Sequence, residues 1–165
     1  LSMTGQEVVE IYDLLEKQGI RVWIDGGWAV DALLGEQTRE HTDLDIAVER
    51  KDLPALKDVL ESNGYHDVPK GEDEMWDMVL ANGEGKEIEV HTFTLNSEGK
   101  VAEEEYWNGY AADSLAGMGN IAGQQVRCVS LSQLVKTHDK SKRELKATDH
   151  RDMKLLSKKF GVVFP

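Results

Sequence analysis

The chain has 165 residues, 40% of them hydrophobic, and its 31 acidic and 19 basic side chains give a net charge of −12. This size and apolar content suit one globular domain. The acidic excess argues against nucleic acid and anionic membrane surfaces as partners, because binding phosphates requires clustered Lys and Arg. The single cysteine, Cys128, excludes an intramolecular disulfide, and its apolar neighbours predict a buried, unreactive side chain. With no signal-peptide pattern and no membrane-length apolar stretch, we expect a protein of the reducing cytoplasm.

The first half of the chain alternates helix and strand patterns. Thr4 opens a capping-box pattern ahead of apolar residues at helical spacing, and Gly19 predicts the end of this first helix. Short β-branched and aromatic runs predict strands at residues 20–24 and 43–48. Between these strands, residues 28–34 predict a short helix.

The second half continues the alternation and adds hairpins. Asp52 is placed to cap a helix that runs to about residue 62, with Pro54 tolerated in its first turn. Residues 76–81 and 86–95 predict a strand pair joined by an Asn-Gly-Glu-Gly turn. The remaining predicted elements are a hairpin over 120–129, a helix capped by Ser130 or Ser132, and a last helix that begins at Thr148 or Asp149. Helices that alternate with short strands imply an α/β or α+β sandwich.

Two aspartates of the second predicted strand carry the first chemical signal. Side chains alternate between faces along a strand, so Asp43 and Asp45 point the same way while Leu44 and Ile46 face a core. Two carboxylates this close repel each other, and solvent, an arginine or a divalent cation must offset the repulsion. Hard oxygen ligands of this kind suit Mg²⁺. Taken alone, the pair is a weak signal, because an exposed strand face also explains it.

Two further signals lie on either side of this pair. Gly26 and Gly27, between a strand and a helix, would let the backbone approach an anion at the helix N-terminus, although a structural tight turn produces the same pattern. The segment lacks the Gly-Lys-Ser/Thr of a Walker A loop and the Gly-x-Gly-x-x-Gly of a dinucleotide fold. Downstream, Glu89 stands on the polar face of an alternating strand, a pattern that a solvated edge strand also explains.

The order of these signals adds weight to each of them. A glycine pair, a spacer of fifteen residues, an Asp-x-Asp strand and a later acidic residue together resemble the DNA polymerase β-like nucleotidyltransferase superfamily. Residues 22–46, with the sequence VWIDGGWAVDALLGEQTREHTDLDI, are similar to the signature of lincosamide nucleotidyltransferases and aminoglycoside 2″-adenylyltransferases. Further matches to these enzymes are Glu89, Val90 and His91 with Leu95, Asn96 and Gly99, residues 121–128, and Asp149, His150 and Asp152. The resemblance covers most of the chain.

The resemblance implies a nucleotidyltransferase fold of class α/β (α+β), with a short mixed β-sheet flanked by helices and a small helical C-terminal part. It implies a single domain over residues 1–165, with a catalytic core over about 4–100 and an acceptor-side part over about 101–165. Asp43 and Asp45 would hold two Mg²⁺ ions, and Glu89 would serve as general base or as a third metal ligand. The related enzymes usually carry aspartate at the position of Glu89.

The same resemblance implies a nucleotide site beside the carboxylates. Gly26 and Gly27 would cradle the triphosphate of ATP or another NTP. Arg39 and His41 would lie beside its phosphates. Asp31 is placed either to orient the glycine turn or Arg39, or to stand as a plain charge on the helix surface.

The activity implied is transfer of a nucleoside monophosphate, AMP from ATP in the first instance, to a hydroxyl of a small molecule such as an aminoglycoside or a lincosamide. The acidic runs at 72–74 and 103–105 would attract a cationic acceptor if they border the pocket. Three alternatives stay open: another metabolite as acceptor, a protein side chain as in toxin–antitoxin nucleotidyltransferases, and a catalytically lapsed relative that only binds nucleotide or a partner. A homodimer that completes the pocket is compatible with the sequence.

Overall fold

The computed structural model describes residues 2–69, 78–103 and 109–165. The helices in this part are α1 (Gly5–Lys17), α2 (Gly26–Leu34), α3 (Leu53–Glu61), α4 (Leu131–Thr137) and α5 (Ala147–Phe160). The strands are β1 (Val22–Asp25), β2 (Asp43–Glu49), β3 (His66–Asp67), β4 (Met78–Ala81), β5 (Glu87–Phe93), β6 (Gly117–Ile121) and β7 (Gln124–Cys128). They form one mixed sheet in the order β3-β4-β5-β2-β1-β7-β6, which confirms the predicted fold class. None of the helices described combines the length and apolar character needed to cross a membrane.

The centre of the sheet brings the acidic signals of the sequence onto neighbouring strands. β2 pairs with β5 in parallel and with β1 antiparallel, so Asp45 lies opposite Glu89 on one side and Asp25 on the other. Leu44, between the aspartates of β2, and Ile46, after the second aspartate, are buried in the core, as strand alternation predicts. Because register decides which side chains share a face, the carboxylates of β1, β2 and β5 point to the same face of the sheet.

Helix α1 begins and ends where its sequence pattern predicts. Thr4 Oγ1 accepts a hydrogen bond from Glu7 N at 3.1 Å, and Glu7 Oε1 accepts one from Thr4 N at 3.2 Å, which completes the capping box. After Lys17, Gly19 takes a left-handed conformation with φ 76° and turns the chain towards β1. The buried face of α1 consists of Val8, Val9, Ile11, Tyr12 and Leu15.

The start of α2 and the capping of α3 differ from the prediction, and the start of one predicted strand is not tested. Helix α2 begins at Gly26, inside the glycine pair, because Asp25 caps it by accepting a hydrogen bond from Gly26 N at 2.8 Å. Asp52 precedes α3 but makes no capping hydrogen bond, since its backbone is already helical (φ −92°, ψ −4°) rather than extended. Of the strand predicted at 76–81, the first two residues lie outside the described part of the chain, and β4 is described from Met78.

The C-terminal part adds two strands to the same sheet. The hairpin of β6 and β7 turns at Ala122 and Gly123, as predicted, and β7 pairs in parallel with β1. Cys128 is fully buried at the end of β7, and burial raises the pKa of its thiol to about 12. Ser130 then caps α4, since its Oγ accepts a hydrogen bond from Gln133 N at 3.2 Å.

Helix α5 is fastened to the end of α2. Lys159 Nζ donates to the backbone carbonyls of Leu33 and Leu34 at 3.0 Å each. These two carbonyls belong to the last turn of α2, where backbone acceptors have no partner within the helix. A cation from α5 therefore satisfies the C-terminal end of α2 and fixes the two helices relative to each other.

Candidate active site

Three carboxylates meet near the beginnings of β2 and β5. Glu89 is 8% exposed and is hydrogen-bonded to both Asp43 and Asp45. Burial, together with the hydrogen bonds and charges of the two aspartates, raises the pKa of Glu89 to about 10. The pKa of Asp43 is also raised, by burial and by the charge of Asp45. At neutral pH Glu89 therefore keeps its proton and donates it to the neighbouring aspartates.

The donor chemistry of this cluster fits a divalent cation. Among the residues described, no three His, Cys, Asp or Glu side chains are already spaced to hold a metal ion. Glu89 is instead hydrogen-bonded through its proton to Asp43 and Asp45. A divalent cation would relieve the repulsion that raises these pKa values, and its binding would release that proton. Metal binding by Asp43, Asp45 and Glu89 stays a prediction.

Three residues absent from the predicted site contact it directly or through one another. His91 Nε2 is hydrogen-bonded to Asp45 Oδ1 at 3.1 Å. Asp25 Oδ1 accepts the hydrogen bond from Gly26 N, and its Oδ2 accepts one from the Tyr110 hydroxyl at 2.8 Å. For Asp25 the sequence carries a signal, because an aspartate just before a helix is a preferred N-cap. Nothing in the sequence around Tyr110 indicates a partner 85 positions earlier.

The glycine pair packs directly against the polar groups of the site. Gly26 has φ 59°, and a β-carbon there would collide with the Asp45 carboxylate, whose carbon would lie 2.9 Å away. A β-carbon on Gly27 would lie 2.5 Å from Arg39 Nη2 and 2.8 Å from His41 Nδ1. Close approach therefore requires glycine at both positions, and the left-handed backbone adds a second requirement at Gly26. The turn joins the carboxylates on one side to two basic side chains on the other.

Arg39 lies against this turn, and α5 holds it there. Its Nε donates to Asp152 Oδ1 at 3.2 Å and its Nη2 donates to Asp152 Oδ2 at 3.1 Å. Its Nη1 donates to the Glu40 carbonyl at 3.3 Å. Burial works to lower the pKa of Arg39, but the hydrogen bonds and charge of Asp152 outweigh burial and raise it. The guanidinium is therefore a permanent positive charge beside the glycine turn.

His41 is buried on the other side of the turn and is oriented by a second carboxylate. Its Nε2 is hydrogen-bonded to Asp31 Oδ2 at 2.6 Å, and Asp31 Oδ1 accepts a hydrogen bond from Thr38 Oγ1 at 2.5 Å. Asp31 is only 1% exposed. The prediction of an exposed helix charge is therefore wrong, and the side chain orients His41 rather than Arg39. The ring of Trp28 packs on that of His41, with the centroids 4.4 Å apart.

All seven residues predicted for the site thus lie in one region of the structure. Glycines from the start of α2 separate the carboxylates of β2 and β5 from the basic side chains of the loop that leads into β2. The acidic runs that would attract a cationic acceptor if they border the pocket include residues 72–74 and 104–105, which lie outside the described residues. The structure therefore does not test this condition.

Known proteins are similar to this chain in sequence and in fold. The family model described as aminoglycoside-2″-adenylyltransferase matches residues 7–156. The chain belongs to this family. A lincosamide resistance protein of Staphylococcus haemolyticus is 31% identical over 161 residues, which cover 94% of this chain and 95% of that protein. A 2″-aminoglycoside nucleotidyltransferase of Escherichia coli is 28% identical over 144 residues, 81% of this chain and 73% of its own.

Solved structures of the family agree with the fold. The crystal structure of the lincosamide antibiotic adenylyltransferase LnuA with lincomycin bound has 30% identity and a TM-score of 0.80, covering 95% of this chain and 98% of LnuA. ANT(2″)-Ia in complex with adenylyl-2″-tobramycin matches at 21% identity with a TM-score of 0.78, over 95% of this chain and 89% of that one, and supports the fold alone. The predicted family, fold and nucleotidyltransferase class are confirmed, and an NTP is the co-substrate that this class implies. The roles of individual residues stay predictions.

Proposed function

We propose that this chain is an antibiotic adenylyltransferase that moves AMP from ATP onto a hydroxyl of a lincosamide or an aminoglycoside. The observation that carries the proposal is the meeting of Asp43, Asp45 and Glu89 with the Gly26-Gly27 turn on one face of the sheet. The choice of acceptor is supported by the identity with the lincosamide resistance protein over nearly the full length of both chains.

Asp43 and Asp45 would hold Mg²⁺, with Glu89 as a third oxygen ligand or as the base. Two Mg²⁺ ions bound there would supply charge neutralisation of the triphosphate and stabilisation of the attacking and leaving oxygens in an in-line displacement. The protein's own contribution is spacing. The parallel register that sets Asp45 opposite Glu89 holds the carboxylates at a fixed separation across two neighbouring strands.

The proton of the acceptor needs a base close to the reacting hydroxyl. The hydroxyl oxygen forms a bond to the α-phosphorus, the bond to the β-phosphate oxygen breaks, and the hydroxyl proton must leave. Glu89 is suited to take this proton, because it lies directly opposite Asp45, one of the two aspartates that would hold Mg²⁺. For this role Glu89 must be ionised when the acceptor binds, with its shared proton already released to solvent.

The triphosphate would lie on the first turn of α2, where backbone N–H groups lack partners within the helix. Gly27 lets two polar side chains lie close against this turn, because any larger residue would collide with them. Arg39 and His41 are these two side chains and would bind phosphate oxygens. The permanent positive charge of Arg39 would hold the bound triphosphate against the turn.

The catalytically lapsed alternative depends on glutamate standing where related enzymes carry aspartate. Glutamate is longer by one methylene, and a shift of about 1 Å in a catalytic group can cost about a hundredfold in rate. In this chain the longer side chain still reaches Asp43 and Asp45, since Glu89 is hydrogen-bonded to both. This contact favours a working carboxylate over a lapsed one.

Pyrophosphate release tests the proposal, with purified protein, Mg²⁺, ATP and a panel of lincosamides and aminoglycosides. Mass spectrometry of the acceptor should show one added nucleoside monophosphate. Asp45→Asn should lower turnover by more than about a hundredfold, because it removes a ligand that the metal site needs. Glu49→Gln is the matched control at the far end of β2, where Glu49 faces Lys51 at 3.7 Å.

Each result has a distinct meaning. Turnover on a lincosamide or an aminoglycoside, lost in Asp45→Asn and kept in Glu49→Gln, supports the proposal. Binding of ATP without turnover on any acceptor would support the lapsed alternative instead. Adenylylation of a protein or an unrelated metabolite would support the proposed adenylyl transfer but would refute the proposed acceptor class. Normal turnover in Asp45→Asn would refute the assigned site.

A further inference from the structure

The ion pair between Arg39 and Asp152 is largely buried and joins two segments that are distant in sequence. The Asp152 side chain is 2% exposed and that of Arg39 is 19% exposed. The two residues lie 113 positions apart in sequence, Arg39 in the loop before β2 and Asp152 on α5. Removing two charges from water carries a desolvation penalty that their attraction often only just offsets. Stability alone therefore does not account for a carboxylate at this position.

The atom that Asp152 holds is the atom that faces the glycine turn. Nη2 of Arg39 donates to Asp152 Oδ2, and the same Nη2 lies against the α-carbon of Gly27. A guanidinium has five N–H donors. Among the residues that the structure describes, Asp152 accepts from two of them and the Glu40 carbonyl from a third, which leaves one donor on Nη1 and one on Nη2. The guanidinium is thus held in place and still has donors for another anion.

Helix α5 gives Asp152 a fixed position relative to this turn. Lys159 fastens one end of α5 to the last turn of α2. Next to Asp152, Arg151 Nη2 donates to the Thr38 carbonyl at 2.5 Å, within the loop that carries Arg39. Since α2 begins at the glycine turn, α5 contacts both the far end of that helix and the loop beside the turn.

We propose that Asp152 is a positioning residue that holds Arg39 against the phosphate-binding turn, so that the C-terminal helix sets nucleotide affinity without touching the nucleotide. This inference rests on the proposed function, because it requires the turn to bind a triphosphate. Without the carboxylate, the guanidinium keeps its charge but is free to swing towards solvent. The loss should fall on ground-state nucleotide binding, with little effect on the chemical step at saturating ATP.

The test compares Asp152→Asn with Asp149→Asn. Asp149 lies on the same helix and accepts two hydrogen bonds from Arg143 at 3.1 Å each, besides the capping bond from Lys146 N at 2.8 Å. The control therefore alters another arginine-bound carboxylate of α5, one whose arginine is not among the groups nearest to Gly27. Isothermal titration with a non-hydrolysable ATP analogue and Mg²⁺ should show Kd raised about tenfold in Asp152→Asn, the lower end of the loss when a supporting partner is removed. KM for ATP should rise in parallel while kcat stays within about twofold. Asp149→Asn should leave Kd and KM unchanged.

A double variant separates an effect through Arg39 from a general structural one. If Asp152 acts through Arg39, then Arg39→Ala with Asp152→Asn should bind the ATP analogue no more weakly than Arg39→Ala alone. The Nε–H resonance of Arg39 in NMR spectra gives a readout that needs no nucleotide. It should be protected from solvent exchange in the wild type and lose that protection in Asp152→Asn.

The outcomes separate this inference from the function on which it rests. In one outcome the wild type binds no ATP analogue, although Asp152→Asn still removes the protection of the Arg39 Nε–H from solvent exchange. The nucleotide function then fails, and the positioning role fails with it. If the wild type binds and the Asp152 and Asp149 variants weaken binding equally, or the double variant binds more weakly than Arg39→Ala, the positioning role alone is overturned. Should Asp152→Asn not fold, Asp152→Glu keeps the charge, displaces it by one methylene and should still raise Kd.

Discussion

Replacing Glu89 with glutamine should stabilise the metal-free protein while it abolishes turnover. The pKa of Glu89 is about 10 in the folded chain, against an ordinary value of 4.5. A raised folded pKa means that the folded chain keeps a proton which the unfolded chain has released. The stability contribution is therefore full below pH 4.5 and is lost progressively as pH rises towards 10. Glutamine avoids this loss, because its amide donates hydrogen bonds without carrying a titratable proton.

The size of the effect follows from the working pH. At about pH 7.5, three units above the ordinary 4.5, keeping that proton costs at most about 4 kcal/mol, at roughly 1.4 kcal/mol per unit. Relaxation of the site and entry of water reduce this bound, and we expect about 1–2 kcal/mol to be regained in Glu89→Gln. For a chain of this size, that gain corresponds to a rise in Tm of about 2–8 °C.

Thermal unfolding in the presence of a chelator, at several pH values between 5 and 9, measures this difference. The gap in Tm between Glu89→Gln and the wild type should be small at pH 5 and should widen as pH rises. Added Mg²⁺ should raise Tm more in the wild type than in the variant, because the cation relieves the repulsion that glutamine has already removed. A gap that stays constant across this pH range would refute the shared proton among Asp43, Asp45 and Glu89.

Three other predictions follow from single contacts. Gly27→Ala should lower turnover by about a hundredfold, because its methyl group displaces the basic side chains beside it. Gly83→Ala is the control and should leave turnover unchanged, because a β-carbon there would have nothing within 4 Å. Equal activity in the two variants would contradict the close packing of the turn. Tyr110→Phe should lower the free energy of unfolding in urea by about 1–3 kcal/mol, since it removes a buried hydrogen bond to Asp25; an unchanged midpoint would mean that this bond is not formed in solution. Cys128, buried and with a thiol pKa of about 12, should react with a thiol reagent at pH 8 only after denaturation, and rapid labelling of the native protein would contradict its burial.

Elements with a strong local pattern were predictable from the sequence. Thr4 and Glu7 satisfy each other's backbone groups within one turn, so their spacing alone specifies the start of α1. The alternation of Asp43 and Asp45 with Leu44 likewise determines the polar and apolar faces of β2, whatever its neighbours in the sheet. In both cases the information lies within a few consecutive residues.

The partners that hold the site together were not predictable in this way. Asp31 reads as a surface charge when its helix is considered alone, and its burial follows from packing against His41 and Thr38. The sheet order was not predictable either, because β7 lies beside β1 although nearly one hundred residues separate the two strands in sequence. Contacts between distant segments leave no periodic pattern, and hydrophobic spacing reports only the face that an element buries.

Glu89 shows why register decides a question that residue identity leaves open. From the sequence, its extra methylene raises doubt about whether it reaches the two aspartates. The parallel pairing of β2 and β5 sets Asp45 directly opposite Glu89, and Cβ atoms of directly opposed residues lie about 5 Å apart. At that separation the longer side chain has slack, so it can bend back to hydrogen-bond Asp43 as well as Asp45. The extra methylene of glutamate therefore changes the route by which the side chain reaches the two aspartates. It does not prevent the three carboxylates from meeting.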